Sequence, residues 1–240
     1  MTIDATGLHF KTLNDRVRET VENKIVINNC IGQRYIASGM SDKEIIINGT
    51  PGNALGAYLN GVTLTVNGNA QDATGDTMNE GAIYIHGSSG DATGYAMRGG
   101  KIFVKDNAGY RAGIHMKAYK EKLPVLIIGG VAGSFLGEYQ AGGVIVVLGL
   151  YEKKIEDNCN FCATGMHGGK IYLRTDKLPK NLPSQVVAKE ADEEDLAAIK
   201  GYITEFGSKF NYDTDKILDH KFYILTPNSQ NPYKQLYTRN

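Results

Sequence analysis

Apart from Met1, every methionine of the chain falls on one position of a repeat: Met40, Met78, Met97, Met116 and Met166, with Leu59 and Gln140 filling the two remaining copies. The clearest copies, residues 56–68, 75–87 and 94–106, lie 19 residues apart. The register extends back to 37–49 and forward to 113–130, 137–149 and 163–175, seven copies in all, with insertions after Met116 and after Gly149. A small residue follows the methionine position, and then an alternating apolar pair: Ile45/Ile47, Leu64/Val66, Ile83/Ile85, Ile102/Val104, Leu126/Ile128, Ile145/Val147 and Ile171/Leu173. Alternation with period two over so short a stretch marks a strand, with each pair facing inward.

A unit of 19 residues is too short for a propeller blade, which takes about 40, and it lacks the regular leucines of a leucine-rich repeat. The 29 glycines argue against helical repeats, because glycine is a poor helix former. What remains is a coil of two or three short strands separated by glycine turns. Such coils stack so that strands pair in parallel, about 4.8 Å apart. The expected fold class is therefore an all-β solenoid, a right-handed parallel β-helix of about seven 19-residue coils. The left-handed hexapeptide form is set aside because 19 is not a multiple of six. The methionine row becomes an internal ladder, a use suited to a flexible apolar side chain.

Open ends of such a stack expose unpaired backbone groups and need covers. Residues 1–24 read as an N-terminal cap, with a helix over 11–23 that carries Leu13, Val17 and Val21 on one face. Residues 25–176 form the repeat region, and 177–240 a linker, a helix and a C-terminal arm. The prolines of 178–183 mark the linker. The helix spans 190–206, with Leu196, Ile199, Ile203 and Phe206 along one stripe, and a short strand begins at Phe222 before the extended arm. Outward positions of the late coils, Ile127, Val146 and Leu148, are apolar where an earlier coil has Thr63 and Thr65. That face needs a cover, from the C-terminal segment or from another chain.

The 26 Lys and Arg cancel the 26 Asp and Glu, so no overall field recruits nucleic acid or an anionic membrane. Three cysteines, Cys30, Cys159 and Cys162, are too few for a disulfide framework, and the sequence after Met1 lacks the basic and apolar regions of a signal peptide. The longest apolar runs, such as 144–148, fall far short of the roughly 20 residues that span a bilayer. A cytoplasmic location is expected.

Few residues are left for chemistry. Cys159 and Cys162 with His167 have metal-ligand flavour, but a structural zinc site ordinarily shows two paired motifs and only one is present. Cys162 also occupies a repeat position held elsewhere by Ile36, Leu55 and Ala112, which marks a core residue. Asp72 and Asp91, one period apart, could share a proton or hold a cation, although Asp at a turn more often serves local backbone hydrogen bonds. The row after the methionines carries Arg98, Lys117 and His167, with Asn60 and Asn79 earlier, a mild basic stripe suited to a phosphate or an acidic partner surface. No catalytic, cofactor-binding or metal-binding residue is assigned.

The series at 52–61, 90–100, 139–149 and 165–169 resembles the GXGXG domain at the C-terminus of the glutamate synthase large subunit, over roughly 31–174. The specificity lies in the repetition. The resemblance implies a stand-alone, non-catalytic structural subunit of a glutamate synthase-like, amidotransferase–oxidoreductase complex of nitrogen metabolism. It further implies a glutaminase-type amidotransferase subunit and an FMN-binding synthase subunit as partners, with FMN and an iron–sulfur cluster on those chains and none on this one. The sequence agrees: Thr2 stands where an N-terminal nucleophile would be cysteine, and three cysteines cannot ligate a cluster fully. Self-association through the late-coil face or the C-terminal arm is a further expectation. Two alternatives stand beside this reading: the similar β-helix subunit of a formylmethanofuran dehydrogenase-type complex, and an autonomous carbohydrate-active β-helix enzyme using Asp72 and Asp91.

Overall fold

The computed structural model describes residues 1–151 and 153–228. Two strands precede the repeats, β1 (Thr2–Asp4) and β2 (Lys24–Ile31). Each repeat then contributes one: β3 (Glu44–Thr50), β4 (Asn60–Asn67), β5 (Glu80–Ile85), β6 (Lys101–Val104), β7 (Val125–Ile128), β8 (Ala141–Val147) and β9 (Gly168–Arg174). β10 (Val186–Glu190) and β11 (Phe222–Pro227) follow. The helices among the described residues are α1 (Phe10–Glu19), α2 (Ile155–Asn158), α3 (Glu193–Phe210) and α4 (Thr214–Leu218).

The strands form one eleven-stranded sheet ordered β1-β2-β3-β4-β5-β6-β7-β8-β9-β11-β10. Pairing is parallel from β1 to β9 and antiparallel from β9 through β11 to β10. This mixed sheet corrects the expected all-β solenoid, a right-handed parallel β-helix of about seven coils. Two or three strands per coil would have produced two or three sheets, and helices cover part of the single sheet that forms.

The reason lies in the other half of each repeat. Before the methionine position every second residue has positive φ: Ala54 (59°), Gly56 (64°) and Tyr58 (57°), then Ala73 (55°), Gly75 (72°) and Thr77 (51°). Such residues cannot lie in an extended ladder, so the segment is turn rather than a second strand. Left-handed backbone at a non-glycine costs roughly 1–2 kcal/mol, and hydrogen bonds to both neighbouring repeats hold it. The amides of Ala54 and Tyr58 donate forward to the carbonyls of Asp72 (2.9 Å) and Asp76 (2.7 Å), while Gly56 donates back to Ile36 (2.9 Å).

Sheet register follows the repeat. Leu64 pairs with Ile83 and Ile83 with Ile102, and the insertion after Met116 is absorbed so that Ile102 pairs with Leu126. All seven apolar pairs are buried in one core with Met78, Met97, Met116 and Met166. Gln140 sits in the same ladder and donates its amide to the carbonyls of Gly142 and Gly143, both at 3.2 Å.

At the first end, α1 buries Leu13 and Val17. It stops at Glu19, so Val21 lies beyond it and is 94% exposed. Asn14 and Arg18, one helical turn apart, donate to the carbonyls of Arg34 (2.8 Å) and Ser38 (2.5 Å). The equivalent carbonyls of the next repeat, Asn53 and Ala57, accept the amides of Tyr35 and Gly39. The helix therefore supplies the donors that a preceding repeat would have supplied. At the last end, Leu178, Leu182, Val186 and Ala188 pack on the core.

A second core forms on the outer face of the sheet. Phe103, Ile127, Val146, Leu148 and Tyr172 pack against Ile199, Ile203, Phe206 and Phe210 of α3, Ile217 of α4, and Phe222 and Ile224 of β11. The chain's own C-terminal segment thus covers the late apolar face, which leaves it closed to the expected self-association. The arm beyond Asn228, the other expected route, lies outside the described residues. α3 begins at Glu193 rather than 190 because 186–190 pairs with β11 as β10. Asp192 and Asp195 form a reciprocal capping box at its start, and Asn211, with φ 62°, ends it. No helix among the described residues is long and apolar enough to cross a membrane.

Candidate functional site

Asp72 and Asp91 fall at equivalent turn positions, and each carboxylate reaches forward along the stack. Asp72 Oδ1 accepts the amide of Asp91 (2.9 Å), and Asp91 Oδ1 accepts the amide of Tyr110 (2.8 Å). Glycine is required beside them: a Cβ at Gly90 or Gly109 would lie 2.2 Å from the carboxylate oxygen of Asp72 or Asp91. Asn69 and Asn107 act in the same way on the amides of Ser88 (2.8 Å) and Val131 (2.9 Å). These side chains clamp one repeat to the next.

An asparagine ladder adds a clamp that residue type alone did not single out. Asn67 donates to Asn48 and Asn48 to Asn28, both at 2.7 Å. The available signal was the shared register of Asn48 and Asn67.

Cys159 and Cys162 are free thiols buried at the last end of the core, beside Ile155. The hydrogen bond with Cys159, together with burial, pushes the Cys162 thiol well above its ordinary pKa. His167 Nδ1 lies 3.1 Å from the carbonyl of Gly165. Among the described residues no group of three or more His, Cys, Asp or Glu is arranged to hold a metal ion. Cys30 occupies the other end; burial raises its thiol to about 11, and its Sγ lies 3.3 Å from Gln33 Oε1.

The turn face of the late repeats carries stacked rings. His115 stacks on Tyr139 (5.2 Å, 11°) and meets Tyr95 edge-on (5.9 Å). Phe135 stacks on Phe161 (5.0 Å, 16°), with the Arg111 guanidinium 4.9 Å above Phe135 and 3.2 Å from Glu138. Arg98 and Lys117 of the basic row are exposed nearby, and His167 is half-buried. These rings occupy positions one, two and five before the methionine row, where residue type varies between repeats and offers no periodic signal.

On the opposite face Glu205 of α3 accepts the Tyr84 hydroxyl and pairs with Lys101 at 2.7 Å. Burial raises its carboxyl pKa, but the hydrogen bonds from Lys101 and Tyr84 outweigh it and leave the group below the ordinary range. A cavity of about 200 Å³ near the last repeat is lined by Lys153, Lys154, Arg174 and His220 together with Glu156 and Asp176. Its Arg174 guanidinium is spent on the carbonyls of Ile217 (3.0 Å) and Leu148 (3.2 Å), tying α4 to the sheet.

A stack in which Asn69, Asp72, Asp91 and Asn107 bond the backbone of the following repeat defines a repeat protein. The chain belongs to the GXGXG motif family, whose model matches residues 12–228. It is 47% identical over 253 residues to MJ1350, an uncharacterized protein of Methanocaldococcus jannaschii, across 99% of this chain and 96% of that one. Among solved structures it resembles a chain of the formyltransferase/hydrolase complex FhcABCD of Methylorubrum extorquens, solved with methylofuran. The TM-score is 0.65 at 20% identity, covering 87% of this chain and 79% of the other, a likeness of fold.

Proposed function

We propose that this chain is a non-catalytic subunit of a multi-subunit oxidoreductase or transferase complex, a rigid body on which catalytic chains pack. The observation that carries the reading is the use of its polar side chains. Asp72, Asp91, Asn69 and Asn107 are spent on amides of neighbouring repeats, and Cys159 and Cys162 on the core. Membership of the GXGXG family supports the same reading.

Two finer forms follow. In the glutamate synthase-like form the companions are a glutaminase-type amidotransferase and an FMN-binding synthase, with FMN and an iron–sulfur cluster on those chains. In the other, the companions are those of a formylmethanofuran dehydrogenase-type complex, a form favoured by the fold shared with a chain of a formyltransferase/hydrolase complex. Purification of the natively expressed chain under mild conditions, with mass spectrometry of whatever accompanies it, tests the reading and separates the two forms. The expected result is a complex whose flavin or iron–sulfur chromophores and activity reside on the companions. A flavin spectrum or glutaminase activity that stays with this chain alone would refute it.

A further inference from the structure

The outer faces of the molecule are not equally finished. One side of the late repeats is sealed by α3 and β11. The turn side is not: Tyr95, Tyr119 and Tyr139 are all exposed, Tyr119 to 51%, and His115 is exposed between two of the tyrosines. The residues are contiguous. Tyr95, His115 and Tyr139 touch in a column, Lys117 donates its amide to the Met97 carbonyl beside Arg98, and the 119–122 turn folds over Gly99, where Lys122 takes the space a side chain would need.

Charge on this patch is unbalanced. Arg98 and Lys117 form no ion pair or hydrogen bond through their side chains among the described residues, and Lys120 lies 5.4 Å from the Tyr119 ring centre. Of the neighbouring acids, Glu80 pairs with Lys122 (2.8 Å) and Glu138 with Arg111 (3.2 Å), while Asp76 accepts the Thr77 hydroxyl (2.7 Å) and keeps its charge. Glu121 is the one exposed carboxylate of the 117–123 segment. Three open cations, Arg98, Lys117 and Lys120, against two open acids, Asp76 and Glu121, leave the patch net positive in a chain whose formal charge sums to zero. Pre-stacked rings lose little freedom on burial, and aromatic residues with arginine are the usual anchors of protein interfaces.

We infer that the turn face of the late repeats, Tyr95, His115, Tyr119 and Tyr139 with Arg98, Lys117 and Lys120, docks an acidic segment of a companion protein chain. The inference rests on the subunit reading above and names the surface through which it operates. Rings bury against the partner's apolar atoms, while the cations set orientation and speed encounter.

The test uses the native complex. A carbodiimide joins a lysine amine directly to a carboxylate in contact with it, so the expected products link Lys117 or Lys120 to an Asp or Glu of an identified companion. The combined Arg98→Glu, Lys117→Glu and Lys120→Glu variant changes only exposed side chains and retains the wild-type melting temperature. It is expected to bind that companion at least tenfold more weakly at low salt, with the difference shrinking as salt rises. Lys200→Glu on α3 serves as the control and leaves binding unchanged. A companion bound within twofold by the triple variant, with no cross-link from either lysine, would overturn the inference and leave the subunit reading standing. A wild-type chain that isolates alone would overturn both.

Discussion

Along the inner face of the sheet the same kind of residue recurs at each step: Ile45, Leu64, Ile83, Ile102, Leu126, Ile145 and Ile171, all fully buried. Along the turn face one register position reads Tyr58, Thr77, Ala96, His115 and Tyr139. The backbone at these residues is nonetheless alike, with φ between 49° and 57°. The comparison separates two kinds of information. Positions that repeat specify the stack, because each must match the neighbours above and below it. Positions that share a backbone but not a side chain are free to carry recognition.

The outer core gives the largest expected effect. Phe206 is fully buried and packs near Phe103, Phe210 and Tyr212, so Phe206→Ala should cost about 3–5 kcal/mol by denaturant unfolding. A loss below about 1 kcal/mol would mean that α3 is an ornament rather than part of the fold. In the inner ladder, Leu126→Ala should cost about 2–5 kcal/mol by the same measurement.

The clamps between repeats come next. Asp91→Ala removes the acceptor of the Tyr110 amide and should cost about 1 kcal/mol, with Asp91→Asn recovering most of it. If both variants behave alike, the hydrogen bond is not what the carboxylate contributes. Acid tests the Glu205 contact. Its folded pKa lies below the ordinary value, so its stabilisation is present above the unfolded carboxylate pKa of about 4.3 and lost as pH falls through the folded value. The stability advantage of the wild type over Glu205→Gln should therefore hold from pH 6 to 8 and vanish in acid. A gap that widens on acidification would reverse the sign.

The smallest expected effect is on the turn face, where the comparison is sharpest. Tyr139→Ala and Tyr95→Ala should change the stability of the isolated chain by no more than about 0.5 kcal/mol. A cost comparable to Leu126→Ala would show that the rings belong to the fold.

The methionine register and the seven apolar pairs were legible because burial imposes one chemistry on every copy. The cover over Ile127, Val146 and Leu148 was legible for the same reason: outward apolar residues demand a partner. The second half of each repeat was not. Ala54, Tyr58 and Thr77 are not residues that announce left-handed backbone, and only their hydrogen bonds to adjacent repeats place them there. A coil of several strands was therefore expected where a single strand and a turn occur. β1 and β10 were missed because a three-residue and a five-residue strand carry little pattern of their own and depend on the neighbour they pair with. The one-period spacing of Asp72 and Asp91 was legible, but the direction of each carboxylate, onto an amide of the following repeat rather than toward the other carboxylate, was not. Likewise, Asn14 and Arg18 gain meaning only from the carbonyls they meet.

Hydrogen exchange on the isolated chain and on the native complex tests the division of labour most directly. Amides of β4 to β9 should exchange slowly and equally in both. Peptides spanning 93–99, 113–123 and 134–141, whose amides already bond to adjacent repeats, should gain further protection in the complex. Equal exchange of those turn peptides in both states, with new protection elsewhere on the molecule, would contradict it.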